Sequence, residues 1–145
     1  MKKEYMCYCG LYCENCGVKT KITPAATVLY DEMAKMRFDE VMEFIPGGSG
    51  FWTFLKGMTK EGICTSCKEG GGNPNCKVRI CAKEKGVEMC AFCDEYPCEH
   101  FDRYFIGYRA LKEDNLLLRE KGIEEWAKMQ DERKSKGFTY IDGKE

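Results

Sequence analysis

The stretch CTSCKEGGGNPNCKVRICAKEKGVEMCAFC, from Cys64 to Cys93, holds six cysteines and three consecutive glycines in thirty residues. Its reading decides what kind of chain this is. A phosphate-cradling loop needs G-x-x-x-x-G-K-[ST] between a strand and a helix. Here Gly70-Gly71-Gly72 runs into Asn73-Pro74-Asn75-Cys76-Lys77, with no Gly-Lys-Ser/Thr ending. Pro74 also removes a backbone N–H where a phosphate needs donors. No βαβ pattern supports a dinucleotide fingerprint either. The glycines and Asn-Pro are turn residues, which supply positive φ and a fixed bend. They are expected to bring Cys76 and Cys81 round to the Cys64–Cys67 pair.

Working outward, the chain has 145 residues, 11 of them cysteine, and a formal net charge of -1. That length fits one domain able to bury a modest core. Eight Phe, eight Tyr and two Trp argue against disorder. The near-neutral balance gives no global basic field to draw the chain to nucleic acid or an anionic membrane. No apolar run reaches the roughly 18–20 residues of a spanning helix. MKKEYMCYCG has no apolar stretch behind its lysines, so it is not a secretory signal. The expectation is a soluble, cytoplasmic protein. In that setting an odd number of cysteines points to metal ligation and away from a disulfide scaffold.

The cysteines fall in two blocks, Cys7 to Cys16 and Cys64 to Cys98. Pairs separated by two residues let both sulfurs converge on one tetrahedral ion. Cys64-x2-Cys67, Cys90-x2-Cys93 and Cys13-x2-Cys16 have that spacing, and Cys76-x4-Cys81 is a wider pair. The preferred grouping places Cys64, Cys67, Cys76 and Cys81 on one ion. A second ion would draw on Cys9, Cys13, Cys16, Cys90, Cys93 and Cys98, although spacing leaves open a crossed arrangement of the Cys64 and Cys90 pairs. All-thiolate sites suit one or two zinc ions or an iron–sulfur cluster alike. Closed four-cysteine sites hold no open position for water, which favours a structural role over hydrolysis. No catalytic residue is assigned. The single histidine, His100, rules out a multi-histidine catalytic zinc site. It reads as an ordinary polar residue opening a helix, with ligation or a Cys–His pair as the alternative. Cys9-x3-Cys13-x2-Cys16 matches the cluster spacing of radical S-adenosylmethionine enzymes, but the chain is too short for their barrel.

Between the blocks, Pro24 behind Thr23 opens a helix whose apolar positions Leu29, Met33, Met36, Val41 and Phe44 carry it toward residue 45. PGGSG (Pro46–Gly50) breaks the chain, and Phe51–Met58 is helical or irregular. Phe101, Tyr104, Phe105, Tyr108 and Leu111 predict an amphipathic helix over 99–113. Gly122 reads as a helix C′ residue. Ile123, Trp126, Ala127 and Gln130 form the inward side of a helix near 124–134. The alternating charges of 112–136 are a solvated face, and FTYIDGKE is a loose tail. The fold expected is mainly α with irregular, metal-stapled cysteine loops, in a single domain over 1–145. A small α+β arrangement is the other form open to it.

CGLYCENC (Cys9–Cys16), the C-x2-C pair, and GGGNPNCKVRICAKEKGVEMCAFCDEYPCEHF (Gly70–Phe101) arrive in an order that resembles the DUF3795 family. Its members are small cysteine-rich prokaryotic proteins of undefined function, thought to bind zinc. The resemblance implies a ligand or framework role for Cys9, Cys13, Cys16, Cys64, Cys67, Cys76, Cys81, Cys90, Cys93 and Cys98. Cys7 lies outside the pattern and is the expected spare thiol. The function expected is a zinc-binding module or adaptor, with another protein as the class of partner left open. The alternative is a redox or electron-transfer protein carrying an iron–sulfur cluster or a dithiol pair. Nucleic-acid binding through Lys77, Arg79, Lys83 and Lys85 is weakened by Glu84, Glu88, Asp94 and Glu95 among them.

Overall fold

In a computed structural model, residues 5–60, 64–102 and 107–141 are described. They are mainly helical with irregular cysteine-bearing connections, as expected. The chain divides into two compact units: residues 1–17 with 66–145, and Val18–Thr65.

In Val18–Thr65, one turn of π-helix (Val18–Ile22) runs into α1 (Thr23–Lys35), which carries Pro24 in its first turn. A proline there loses nothing, because that N–H has no partner within the helix. The single long helix expected to residue 45 is instead broken at Arg37, whose φ of 57 is left-handed. The chain resumes as α2 (Phe38–Val41) and a 3₁₀ turn, Met42–Phe44. PGGSG breaks the chain for only two residues, since α3 (Gly48–Lys60) already begins at its third. Tyr30 of α1 stacks on Trp52 of α3 with centroids 4.8 Å apart, and Ala26, Met42 and Leu55 are buried. Much of the apolar stripe read as a packing face is exposed: Leu29, Met36, Val41 and Phe44 all face solvent.

The other unit begins with a tight hairpin. Met6 bridges Tyr12, the Cys7 N–H donates to the Leu11 carbonyl, and Gly10 turns the chain with φ 92. A Cβ at Gly10 would lie 1.7 Å from Asn115 Oδ1, so only glycine lets this turn sit on the fold. Asn115 Nδ2 in turn donates to the Cys9 carbonyl at 2.9 Å. Further along, α4 (Lys77–Glu84) buries Val78, Arg79 and Ala82.

The helix expected over 99–113 is in pieces. Glu99–Phe101 is a 3₁₀ turn, Tyr104 and Phe105 lie outside the described residues, and the chain is non-helical at Tyr108. α5 (Leu111–Ser135) follows, broken at Gly122, whose φ of 82 fits the expected helix end. Trp126, Ala127 and Gln130 are buried, as their spacing predicted, and Ile123 packs partly against the same core.

A polar network ties the ends of this unit together. The buried Asp114 accepts from Gln130 Nε2 at 2.7 Å and from Arg133 Nη1 at 2.5 Å. Gln130 Oε1 accepts from Asn15 Nδ2 (2.8 Å) and from the Tyr140 hydroxyl (3.1 Å). Each is worth more in this dry setting than at the surface, because breaking one leaves a buried group unsatisfied. Residues 138–140 of the tail expected to be loose are therefore held: Phe138, Thr139 and Tyr140 are buried, and the Tyr140 N–H donates to the Asn15 carbonyl. Aromatic packing outweighed the loop-like composition of FTYIDGKE.

Candidate functional site

Two of the C-x2-C pairs adopt the same local form. In Cys13–Asn15 and Cys90–Phe92 the chain makes one 3₁₀ turn, and the second cysteine's N–H donates to the carbonyl of the first. That turn places both side chains on one side of the backbone. Cys67–Glu69 makes a third such turn, capped by Ser66.

The first thiol cluster forms where the hairpin meets the Cys67 turn. Cys7 and Cys13 are 3.4 Å apart at sulfur, and the thiols of Cys67 and Cys9 lie close enough to Cys7 to shift its titration. Contact with Cys13, then Cys67 and Cys9, holds the Cys7 thiol far above its ordinary range, so Cys7 keeps its proton. Cys67 moves the opposite way, to about 6. Its largest stabilisation comes from the Cys7 hydrogen bond. The Tyr8 N–H and the positive charges of Arg79 and Lys68 add to this against the cost of burial. Cys7, expected as the spare thiol, stands in this cluster beside Cys13. The signal lay in CYCGLYC, where Gly10 stands midway between Cys7 and Cys13 and a turn there folds them together.

The second cluster lines a small cavity of about 20 Å³, which Cys81, Cys90, Cys93 and Cys98 share with Lys85 and His100. Burial pushes the Cys90 thiol up to about 12, and the neighbouring Cys9, Cys98, Cys81 and Cys93 push the same way. The Cys90 N–H donates to the Tyr8 carbonyl at 2.7 Å, so the two clusters are joined through the backbone.

The expected grouping of Cys64, Cys67, Cys76 and Cys81 is not what the fold brings together. Cys67 stands with the hairpin thiols, and Cys81 with Cys90, Cys93 and Cys98. Cys76 stands at the N-cap position of α4 and Cys81 within the helix, on the wall of the second cluster's cavity. The Cys64 thiol, in the other unit, donates to the Thr65 carbonyl at 2.8 Å. Cys16 ends the Cys13–Asn15 turn.

Two arginines brace these turns: Arg79, read only among the cations of a candidate nucleic-acid surface, and Arg119, for which the sequence raised no expectation. From α4, Arg79 donates to the carbonyls of Gly71 (2.6 Å), Asn73 (2.9 Å) and Cys67 (3.4 Å). The glycine-rich loop therefore wraps a buried guanidinium, which is thereby unavailable to nucleic acid. From α5, Arg119 donates to the carbonyls of Ala91 (2.7 Å) and Cys93 (2.9 Å), and its guanidinium lies over the Tyr96 ring. Lys85 is paired with Glu95. The only sequence cue to these clamps is an arginine within reach of a cysteine turn, and that is visible only in three dimensions.

As a donor set, clustered thiols fit a soft or borderline cation. Among the described residues, however, no group of three or more His, Cys, Asp or Glu side chains is placed to hold a metal ion. The Cys7–Cys13 separation is that of a hydrogen-bonded pair, tighter than the edge of a zinc tetrahedron. Taking up an ion requires the cysteine side chains to turn about χ1.

Fold and site together define a small helical protein organised on two groups of thiols. The chain belongs to the DUF3795 family, described as a protein family of unknown function, whose model matches residues 5–103. That span holds all eleven cysteines and stops short of α5. No curated protein and no solved structure matches the chain. No helix among the described residues is long and apolar enough to cross a membrane.

Proposed function

We propose that this is a zinc-binding protein whose cysteine-ligated metal staples the hairpin to the cysteine-rich loops, and that it serves as a binding or adaptor module. The observation that carries the reading is the first cluster, in which Cys7, Cys9, Cys13 and Cys67 gather from two distant parts of the chain. Cys67, brought down to about 6 by the Cys7 hydrogen bond and by the charges of Arg79 and Lys68, is the sulfur of this cluster readiest to meet a metal as thiolate. Arg79 and the Tyr8 N–H are the groups that would orient Cys67 as a ligand. When bound, zinc would supply folding free energy to a loop-rich region. The adaptor half rests on Val18–Thr65, where Val28, Met36, Phe44 and Phe54 are each more than half exposed. Exposed apolar groups in such number are a feature of interaction surfaces.

Elemental analysis of anaerobically purified protein tests this. Stoichiometric zinc, with loss of tertiary structure in residues 5–17 and 66–141 on chelation, is the expected result. Iron with inorganic sulfide would replace the reading with an electron-transfer one. Metal-free protein with all eleven thiols open to a thiol reagent would overturn it.

A further inference from the structure

We propose that the cavity between α4 and the Cys90–Cys98 segment is a second, separate centre for one divalent zinc-class ion, ligated by the sulfurs of Cys81, Cys90, Cys93 and Cys98. The proposal rests on the metal-binding reading above and divides it into two centres with different ligands. Four thiols line one cavity of about 20 Å³. That is room for a single water-sized occupant and too little for an organic molecule. Val78, Ala82, Val87 and Phe101 form the apolar part of the cavity wall, and Lys85, Glu95 and His100 the polar part.

Bracing points the same way. Lys85 and Glu95, both on the wall, are paired with each other and leave its fixed charge balanced. Arg119 fixes the Cys90–Cys93 turn through two backbone carbonyls. Cys98 begins its own turn, donated to by the Phe101 N–H at 2.9 Å, and Phe101 is buried with its ring edge-on to Tyr96. Each ligand therefore sits on backbone already held in place. For the centre to close, the four side chains must turn toward one point, since no such group yet stands ready for an ion among the described residues. His100 remains on the wall outside the four-sulfur set. Cys9 lies between the two groups, beside Cys7 and packed in one buried cluster with Cys90, and it stands outside the proposed four-sulfur set.

The test uses the full chain loaded with cadmium-113 as a zinc surrogate. Proton–cadmium correlation through the cysteine Hβ atoms should show two cadmium signals in the all-sulfur region. One should couple to Cys81, Cys90, Cys93 and Cys98, and the other to none of these. A cadmium shared between Cys81 and Cys67, or a coupling to His100, would overturn the partition, and it needs no substitution that could unfold the protein. Zinc stoichiometry of paired variants gives the second arm. Two ions in the wild type should fall to one in Cys93→Ser/Cys98→Ser. If instead that variant keeps every ion, and only Cys7→Ser/Cys13→Ser loses one, the second centre is refuted and the first survives. An ion lost from Cys93→Ser/Cys98→Ser but retained by Cys7→Ser/Cys13→Ser would support the second centre and remove the first. Wild-type protein that binds no cadmium or zinc defeats both.

Discussion

Gly10 offers a direct check on how the hairpin is seated. Its φ of 92 lies where an L-residue costs about 1–3 kcal/mol. An added Cβ would also stand 1.7 Å from Asn115 Oδ1 and 2.7 Å from its Cγ, so the buried amide must leave its place. Moving it breaks the 2.9 Å bond from Nδ2 to the Cys9 carbonyl, and an unsatisfied buried amide costs about 1–3 kcal/mol more. Gly10→Ala is therefore expected to destabilise its unit by about 4 kcal/mol. Gly70→Ala is the control: Gly70 has the same φ of 92, but nothing lies within 4 Å of its would-be Cβ. It should lose only the backbone share, about 1–3 kcal/mol. Urea unfolding in excess zinc would be followed by Trp126 fluorescence in a Trp52→Phe background, so that the signal reports this unit alone. Adding Asn115→Ala to Gly10→Ala should recover the steric part. If the two glycine substitutions cost the same, the close approach of Asn115 to the turn is wrong.

Three further outcomes follow from the same geometry. Arg79→Met leaves the carbonyls of Cys67, Gly71 and Asn73 without their charged donor. It should cost about 2–4 kcal/mol in urea unfolding, and zinc affinity should drop about 10–100-fold in chelator competition. Arg79→Lys should not restore either, since an ammonium cannot fork between carbonyls. Burial holds the Tyr140 phenol well above its ordinary range. Its native state keeps the proton that the unfolded chain releases near pH 10, so its contribution to stability should be constant below pH 10 and fall as pH rises beyond it. Tyr140→Phe should flatten that fall in alkaline urea melts; an unchanged slope would refute the assignment. Asp114→Ala leaves Arg133 and Gln130 facing an empty buried site, and a loss of about 3–5 kcal/mol is expected by thermal unfolding, against under 1 kcal/mol if the network is slack.

What the sequence made legible was local chemistry. C-x2-C spacing foretold turns that place paired sulfurs on one side, and Cys13–Cys16 and Cys90–Cys93 are such turns. Trp126, Ala127 and Gln130 foretold a buried helical face, because 3.6-residue periodicity needs no knowledge of the partner. Partnership itself was hidden. Cys81 goes with Cys90 because α4 turns it away from Cys76, and Cys7 joins Cys13 because Gly10 folds the chain between them. Neither follows from spacing alone. The tail was misread for a related reason: Phe138 and Tyr140 are core residues in a segment of turn-like composition, and only the network at Asn15 and Gln130 shows why they are held.

The hairpin also has a consequence for how this chain can vary. Gly17 and Ser66 both belong to the unit that carries the clusters, while Val18–Thr65 leaves from one and returns at the other. Contact between Cys7 and Cys67 closes a circuit around that excursion. The entropy of closing a circuit grows only with the logarithm of its length, each doubling costing about 0.6 kcal/mol. Val18–Thr65 is thus a cassette: it can be lengthened, shortened or exchanged for another module at small energetic cost, while the thiol framework on either side of it stays fixed.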